Sequence, residues 1–214
     1  AGSGTIAMRG ETPCRVVDVA IETDTEFRTD LFGGDAVAAA DYARFLTGAV
    51  SEIYERDLNV KLRISFLRIW TDPDPWVEVD LDGDGEFTTV DQLFQFQGFW
   101  DANMTDVDRE NTHYFSGRPL GGGVAYLGAI CTSFSYALSA NLNGFFPYPL
   151  EDQNTQNWDI MVTAHEWGHN FGAPHTHQQG ALENTDNCGN GDCSGILCNF
   201  CLFRGNNVHD NPAL

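Results

Sequence analysis

Apolar residues change their period three times in the first third of the chain. In CRVVDVAIETD, Val17, Val19 and Ile21 alternate with Val16, Asp18 and Ala20, which predicts a strand with one strongly apolar face. Gly33 and Gly34 then offer a turn, and Asp35 an N-cap. From there Tyr42, Phe45, Leu46, Ala49, Val50 and Ile53 fall at helical spacing, predicting a long amphipathic helix that ends near Asp57. The period returns to two where Val60, Leu62, Ile64 and Phe66 alternate with Lys61, Arg63 and Ser65, a second strand with one wet face. A strand, a crossover helix and a strand make a parallel pair, so an α/β architecture is expected.

After Trp70 the stretch TDPDPWVEVDLDGDGEFTTVDQL matches a calcium loop position by position. Asp80, Asp82 and Asp84 take positions 1, 3 and 5, Gly85 the sharp turn, Glu86 position 7 through its carbonyl, Thr88 position 9 and Asp91 position 12. Read without a cation, the same residues form an acidic, glycine-rich turn leading into a helix over Val90 to Trp100. Further on, GRPLGGGVAYLGAIC reads as a glycine-rich turn followed by a strand from Val124 to Cys131. No lysine or arginine follows the three glycines and no helix opens there, which argues against a phosphate cradle. An exposed edge strand fits better, and such an edge pairs with an extended peptide.

Most of the chemistry is gathered in TAHEWGHNFGAPHTH, residues 163–177. Ile160, Ala164, Trp167 and Phe171 recur at intervals of four, three and four, marking the apolar stripe of a helix from about Trp158 to Phe171. At about 100° per residue, His165 and His169 lie well round from that stripe and one turn apart, so two imidazoles can grip one metal ion. Glu166 is one step round the helix, within reach of a water beside that ion. Gly172 ends the helix and returns the chain, bringing His175 toward the same metal. Three imidazoles leave tetrahedral zinc one open position, the mark of a catalytic zinc centre, and Glu166 is then the general base for peptide-bond hydrolysis. His177 is expected to line the cleft or to hydrogen-bond nearby, while His113 and His209, without partner motifs, are read as surface or structural residues.

Composition narrows the partners. A formal charge of -20, with Lys61 the only lysine, repels phosphate backbones and anionic lipid, so neither nucleic acid nor a membrane is an expected partner. The most apolar region, Leu120 to Ala140, is broken by glycines and hydroxyl side chains and does not read as a membrane span. Six cysteines, four of them in the last thirty residues, suggest disulfides and an oxidising compartment. At 214 residues the chain is expected to be one domain and a monomer. It starts at Ala1 without a signal-peptide pattern and is read as a mature form or an excised fragment.

The extended motif H-E-x-x-H-x-x-G-x-x-H, together with RVVDVAIETD, YERDLN, VKLRISFLRIW and GGGVAYLGAIC, resembles the metzincin zinc metallopeptidases, most closely the adamalysin or reprolysin-like group. The resemblance implies a twisted, mostly parallel five-stranded sheet with an antiparallel edge strand and a long active-site helix, with an upper subdomain over 14–175 and a short cysteine-rich C-terminal, lower subdomain over 176–214. It implies zinc on His165, His169 and His175, Glu166 as base, and an extended peptide or protein substrate along Gly123, Val124, Ala125, Tyr126 and Leu127. Secretion, with removal of a propeptide, is implied as well. Two features depart from the family. Thr176 stands where aspartate usually follows the third histidine, which suggests a bacterial-type relative, and no methionine follows Met161, so GILCNFC occupies the place of the methionine turn. Two functions of different kind follow: a secreted zinc endopeptidase, or a non-catalytic, truncated or diverged module that keeps zinc and calcium. The presence of Glu166 beside the three histidines favours the first, because a structural zinc site has no use for a general base.

Overall fold

The computed structural model describes residues 15–81, 83, 85–151 and 154–175. Strand β1 (Arg15–Thr23) is followed by helices α1 (Thr25–Phe32) and α2 (Ala36–Leu58), strand β2 (Val60–Leu67), helix α3 (Thr89–Asn103), strands β3 (Asn111–Phe115), β4 (Gly123–Ala125) and β5 (Tyr136–Ser139), and helix α4 (Trp158–Asn170). The strands form one sheet in the order β2-β1-β3-β5-β4. All neighbours are parallel except β4, which runs antiparallel to β5 along one edge. This is the five-stranded, mostly parallel arrangement with an antiparallel edge that the resemblance implied. The expected lower subdomain, with His177, His209 and the GILCNFC stretch, lies outside the described residues.

Two apolar layers hold the helices to the sheet. Val17, Val19 and Ile21 of β1 and Phe115 of β3 point to one face, where α2 (Leu46, Val50, Ile53) and α4 (Ile160, Ala164, Trp167) cover them. Ala20, Tyr114, Tyr136 and Leu138 point to the other, beneath α3 through Leu93, Phe96 and Trp100. The alternation in β1 thus serves two buried faces, as expected of a strand inside a parallel sheet. Helix α2 starts where Asp35 accepts from the amides of Val37 and Ala38, and ends at Asn59 in the left-handed region.

Four elements differ from the sequence reading. Helix α1 occupies residues to which the sequence reading assigned no element; Asp24 caps it by accepting from the Phe27 amide, and Gly33 ends it with φ 59°. Strands β3 and β5 complete the sheet from segments that carried no strand signal. The edge strand, expected over Val124–Cys131, covers only Gly123–Ala125. It stops because the Tyr126 carbonyl is taken by the Asn170 side chain at 2.8 Å, and Gly128, at φ 65°, turns the chain toward the end of α4. There the amides of Gly128 and Ile130 donate to the carbonyls of His169 and Asn170.

Candidate metal centre

Helix α4 presents the chemistry because its other side is locked in place. Ile160, Ala164 and Trp167 are buried under α2 and the sheet. The Tyr54 hydroxyl of α2 donates to the Ala164 carbonyl at 2.8 Å. In the first turn, Asp159 accepts from the Tyr42 hydroxyl at 2.5 Å and from the amides of Asn143 and Gly144. Near the last turn, the Trp167 indole donates to Asn111 of β3 at 2.7 Å. The Asn111 amide in turn donates to Asn170 at 2.6 Å, and the Asn170 amide donates to the carbonyls of Tyr126 and Tyr136. This buried relay fixes the rotation of α4 and joins its end to the sheet edge. Asn111, Asn170, Tyr54 and Asp159 were not singled out from the sequence, where their polar side chains carry no period.

Beyond α4 the chain turns at Gly172, whose φ is 98°. The Ala173 amide donates back to the Gly168 carbonyl, a left-handed helix end. The turn returns His175 to the helix. Ligating atoms of His165, His169 and His175 all lie within 4.8 Å of one another, and among the described residues this is the one group of metal-ligating side chains so arranged. Nε2 of His175 is 3.1 Å from Nε2 of both His165 and His169. Zinc–nitrogen bonds of about 2.0–2.1 Å at tetrahedral angles would separate such nitrogens by about 3.3–3.4 Å.

The donor chemistry suits a cation. The Ala173 carbonyl can only accept, so Nδ1 of His169 donates to it at 2.7 Å and Nε2 turns a lone pair toward His175. With His165 and His175 in their ligating tautomers, three imidazole lone pairs would converge on one point, where a divalent cation would offset their mutual repulsion. Burial also holds the His169 pKa below its ordinary value, while the Ala173 bond acts in the opposite sense. Both the tautomer and the neutral form are those of a metal ligand.

Glu166 is 4% exposed, and its Oε2 has no hydrogen-bond partner among the described residues. Burial raises its pKa well above the ordinary carboxylate value. A positive ion among the neighbouring imidazoles would counter that rise. Its carboxylate lies against the backbone of Gly123, which places the edge strand beside the triad.

Along that edge, the Tyr126 amide donates to the Tyr136 carbonyl and the Ala140 amide to the Gly122 carbonyl. Antiparallel alternation then turns residues 122, 124 and 126 toward β5 and leaves the backbone groups of Gly123 and Ala125 facing outward. Of the five residues expected along the substrate, Gly123, Val124 and Ala125 therefore form the strand and two of them can pair with a peptide. Tyr126 is held inward, and Leu127, 60% exposed, lies past the strand end.

The other sequence-predicted residues are placed apart from the triad. Asp80 accepts from the amides of Gly83 and Gly85 at 2.6 and 2.8 Å. Asp91 accepts from Leu81 and Thr88 and closes a capping box at the start of α3. Glu86 is exposed, and Asp82 and Asp84 lie outside the described residues. His113 is a buried core residue, 2.8 Å from the Ser139 hydroxyl and edge-on to Trp167, with its pKa pushed down to about 3 by burial. Cys131 is exposed; the other five cysteines lie outside the described residues. No helix among the described residues is long and apolar enough to cross a membrane.

The family model for metallo-peptidase family M12, of reprolysin type, matches residues 14–199. No curated protein matches the chain. Among solved structures, a chain from a chaperone-substrate complex aligns with a TM-score of 0.55 at 14% identity over 80% of this chain, which shows a shared fold. The present chain spans 25% of the length of that one. A zinc-dependent peptidase from Methanocorpusculum labreanum (strain Z) aligns at 16% identity over 78% of this chain and 85% of that one, with a TM-score of 0.37.

Proposed function

The chain belongs to metallo-peptidase family M12, and on that premise we propose that it is a secreted zinc-dependent endopeptidase with Glu166 as general base. The observation that carries the proposal is the convergence of His165, His169 and His175 beside a buried carboxylate oxygen of Glu166 that has no hydrogen-bond partner among the described residues. When bound, zinc supplies a Lewis acid that acidifies water and polarises a carbonyl. The three imidazoles hold the ion, and the Nδ1–H bond from His169 to Ala173 fixes one of them in its ligating tautomer. Gly123 and Ala125 receive an extended peptide through outward backbone groups, so the scissile bond is presented next to Glu166. Glu166 takes a proton from the attacking water and returns it to the departing amine nitrogen.

Zinc-loaded protein is expected to cleave members of a quenched peptide library and to stop when the metal is chelated. Glu166→Gln should keep its zinc and lose roughly 100- to 10,000-fold in rate, the usual contribution of a general base. Turnover that survives chelation and Glu166→Gln removes the mechanism. A folded, zinc-loaded protein that cleaves nothing is instead a non-catalytic metal-binding module.

Secretion is supported by the even cysteine count and the charge of -20. Alkylation of the denatured, unreduced protein should find fewer than six thiols; finding all six argues against an oxidising compartment. A stabilising calcium at Asp80, Asp82, Asp84, Glu86 and Asp91 is supported by the spacing alone, since the loop's own amides account for Asp80 and Asp91.

A further inference from the structure

Gly123 has an ordinary strand conformation, with no positive φ that would call for glycine, so its identity must be explained by space. A Cβ at this position would lie 2.5 Å from Oε1, 2.6 Å from Cγ and 2.7 Å from Cδ of Glu166, closer than real Cβ contacts come. All three of its nearest atoms belong to that one side chain. Other glycines of the chain meet different neighbours: a Cβ at Gly117 would strike the backbone of Glu26 and Phe27, and one at Gly48 or Gly98 would meet nothing. The Glu166 side chain has little room to yield, being 4% exposed on a helix whose rotation is fixed by Tyr54 and the Asn111–Asn170 relay.

We propose that Gly123 is a positioning residue for hydrolysis: the bare Cα of the edge strand forms the wall that sets where the Glu166 carboxylate stands. The same residue turns its backbone groups outward to the peptide, so one position aligns substrate and base together. The inference rests on the proposed role of Glu166, but the contact itself can be tested without catalysis.

In the metal-free protein, Gly123→Ala should lower the melting temperature. Gly123→Ala combined with Glu166→Ala, which removes the three atoms nearest the new methyl group, should melt where Glu166→Ala alone does. In zinc-loaded protein, Gly123→Ala should lower kcat roughly 100-fold at unchanged KM, the loss expected of a carboxylate displaced by about 1 Å. In a Glu166→Gln background it should lower the residual rate no further. If Gly123→Ala fails to fold while the double variant folds, the steric coupling stands; if neither folds, the methyl group meets something else and the proposal falls. Wild-type kcat in Gly123→Ala, with Glu166→Gln inactive, overturns the positioning role and leaves the peptidase reading intact. An active Glu166→Gln removes that reading, and the melting cycle still reports the contact.

Discussion

Glu22, near the end of β1, accepts indole N–H bonds from Trp70 at 2.8 Å and Trp100 at 3.0 Å, and Arg68 lies 3.5 Å away. Burial nevertheless wins: it pushes the Glu22 pKa from 4.5 to about 7, against the pull of Arg68 and the two indoles. Two residues on, Asp24 accepts from the Ser116 hydroxyl and the amides of Phe27 and Gly117, and burial pushes it to about 6. Because both values are raised by folding, the native protein holds protons that the unfolded chain has released. Their contribution to stability is complete below about pH 4 and is lost as pH rises through 6 and 7. Urea midpoints should therefore fall between pH 5 and 8, with Glu22 accounting for of order 3 kcal/mol. Glu22→Gln should flatten its share of the slope, whatever it does to absolute stability, and a Glu22 carboxyl resonance titrating near 4.5 would contradict the assignment.

At the level of elements, α4 is positioned by its polar contacts with the sheet as well as by its apolar stripe. Asn111→Ala would leave the Trp167 indole and the side-chain amide oxygen of Asn170 without their partner in a fully buried place. A loss of about 2–4 kcal/mol in equilibrium unfolding is expected, with weaker zinc binding because the helix end and Gly172 turn are loosened. Wild-type stability in this variant would show that the relay is incidental. The zinc helix itself was legible in the sequence because one face of a helix repeats, and Ile160, Ala164, Trp167 and Phe171 repeat cleanly. So were α2 and β2, each with one wet side. Strands β3 and β5 were not, because NTHYF and YALS are buried at every position and a strand covered on both faces has no alternation to read. The length of β4 was overread for a different reason: VAYLGAIC is apolar throughout, and the stop is imposed by Asn170, forty-four residues from Tyr126 in sequence. The Asn111–Asn170 bond likewise spans fifty-nine residues, a pairing that no local pattern encodes.

For the whole molecule, a charge of -20 on 214 residues favours any process that brings cations to the surface. Added salt should raise the melting temperature by screening, and calcium should raise it further than sodium chloride of equal ionic strength if the acidic loop holds a specific site. Asp80→Asn should remove that surplus; equal effects of the two salts would assign the whole gain to screening. In the proposed function, the sheet edge beside the triad is where another chain would pair. Only three residues form β4 and two of them face outward, so this edge offers a short ribbon to another chain. For a peptidase the same brevity sets a condition on its prey: a compact target must lend a slack, partnerless stretch of its own chain. Susceptibility would then follow how often the target frays locally more closely than which side chains it displays.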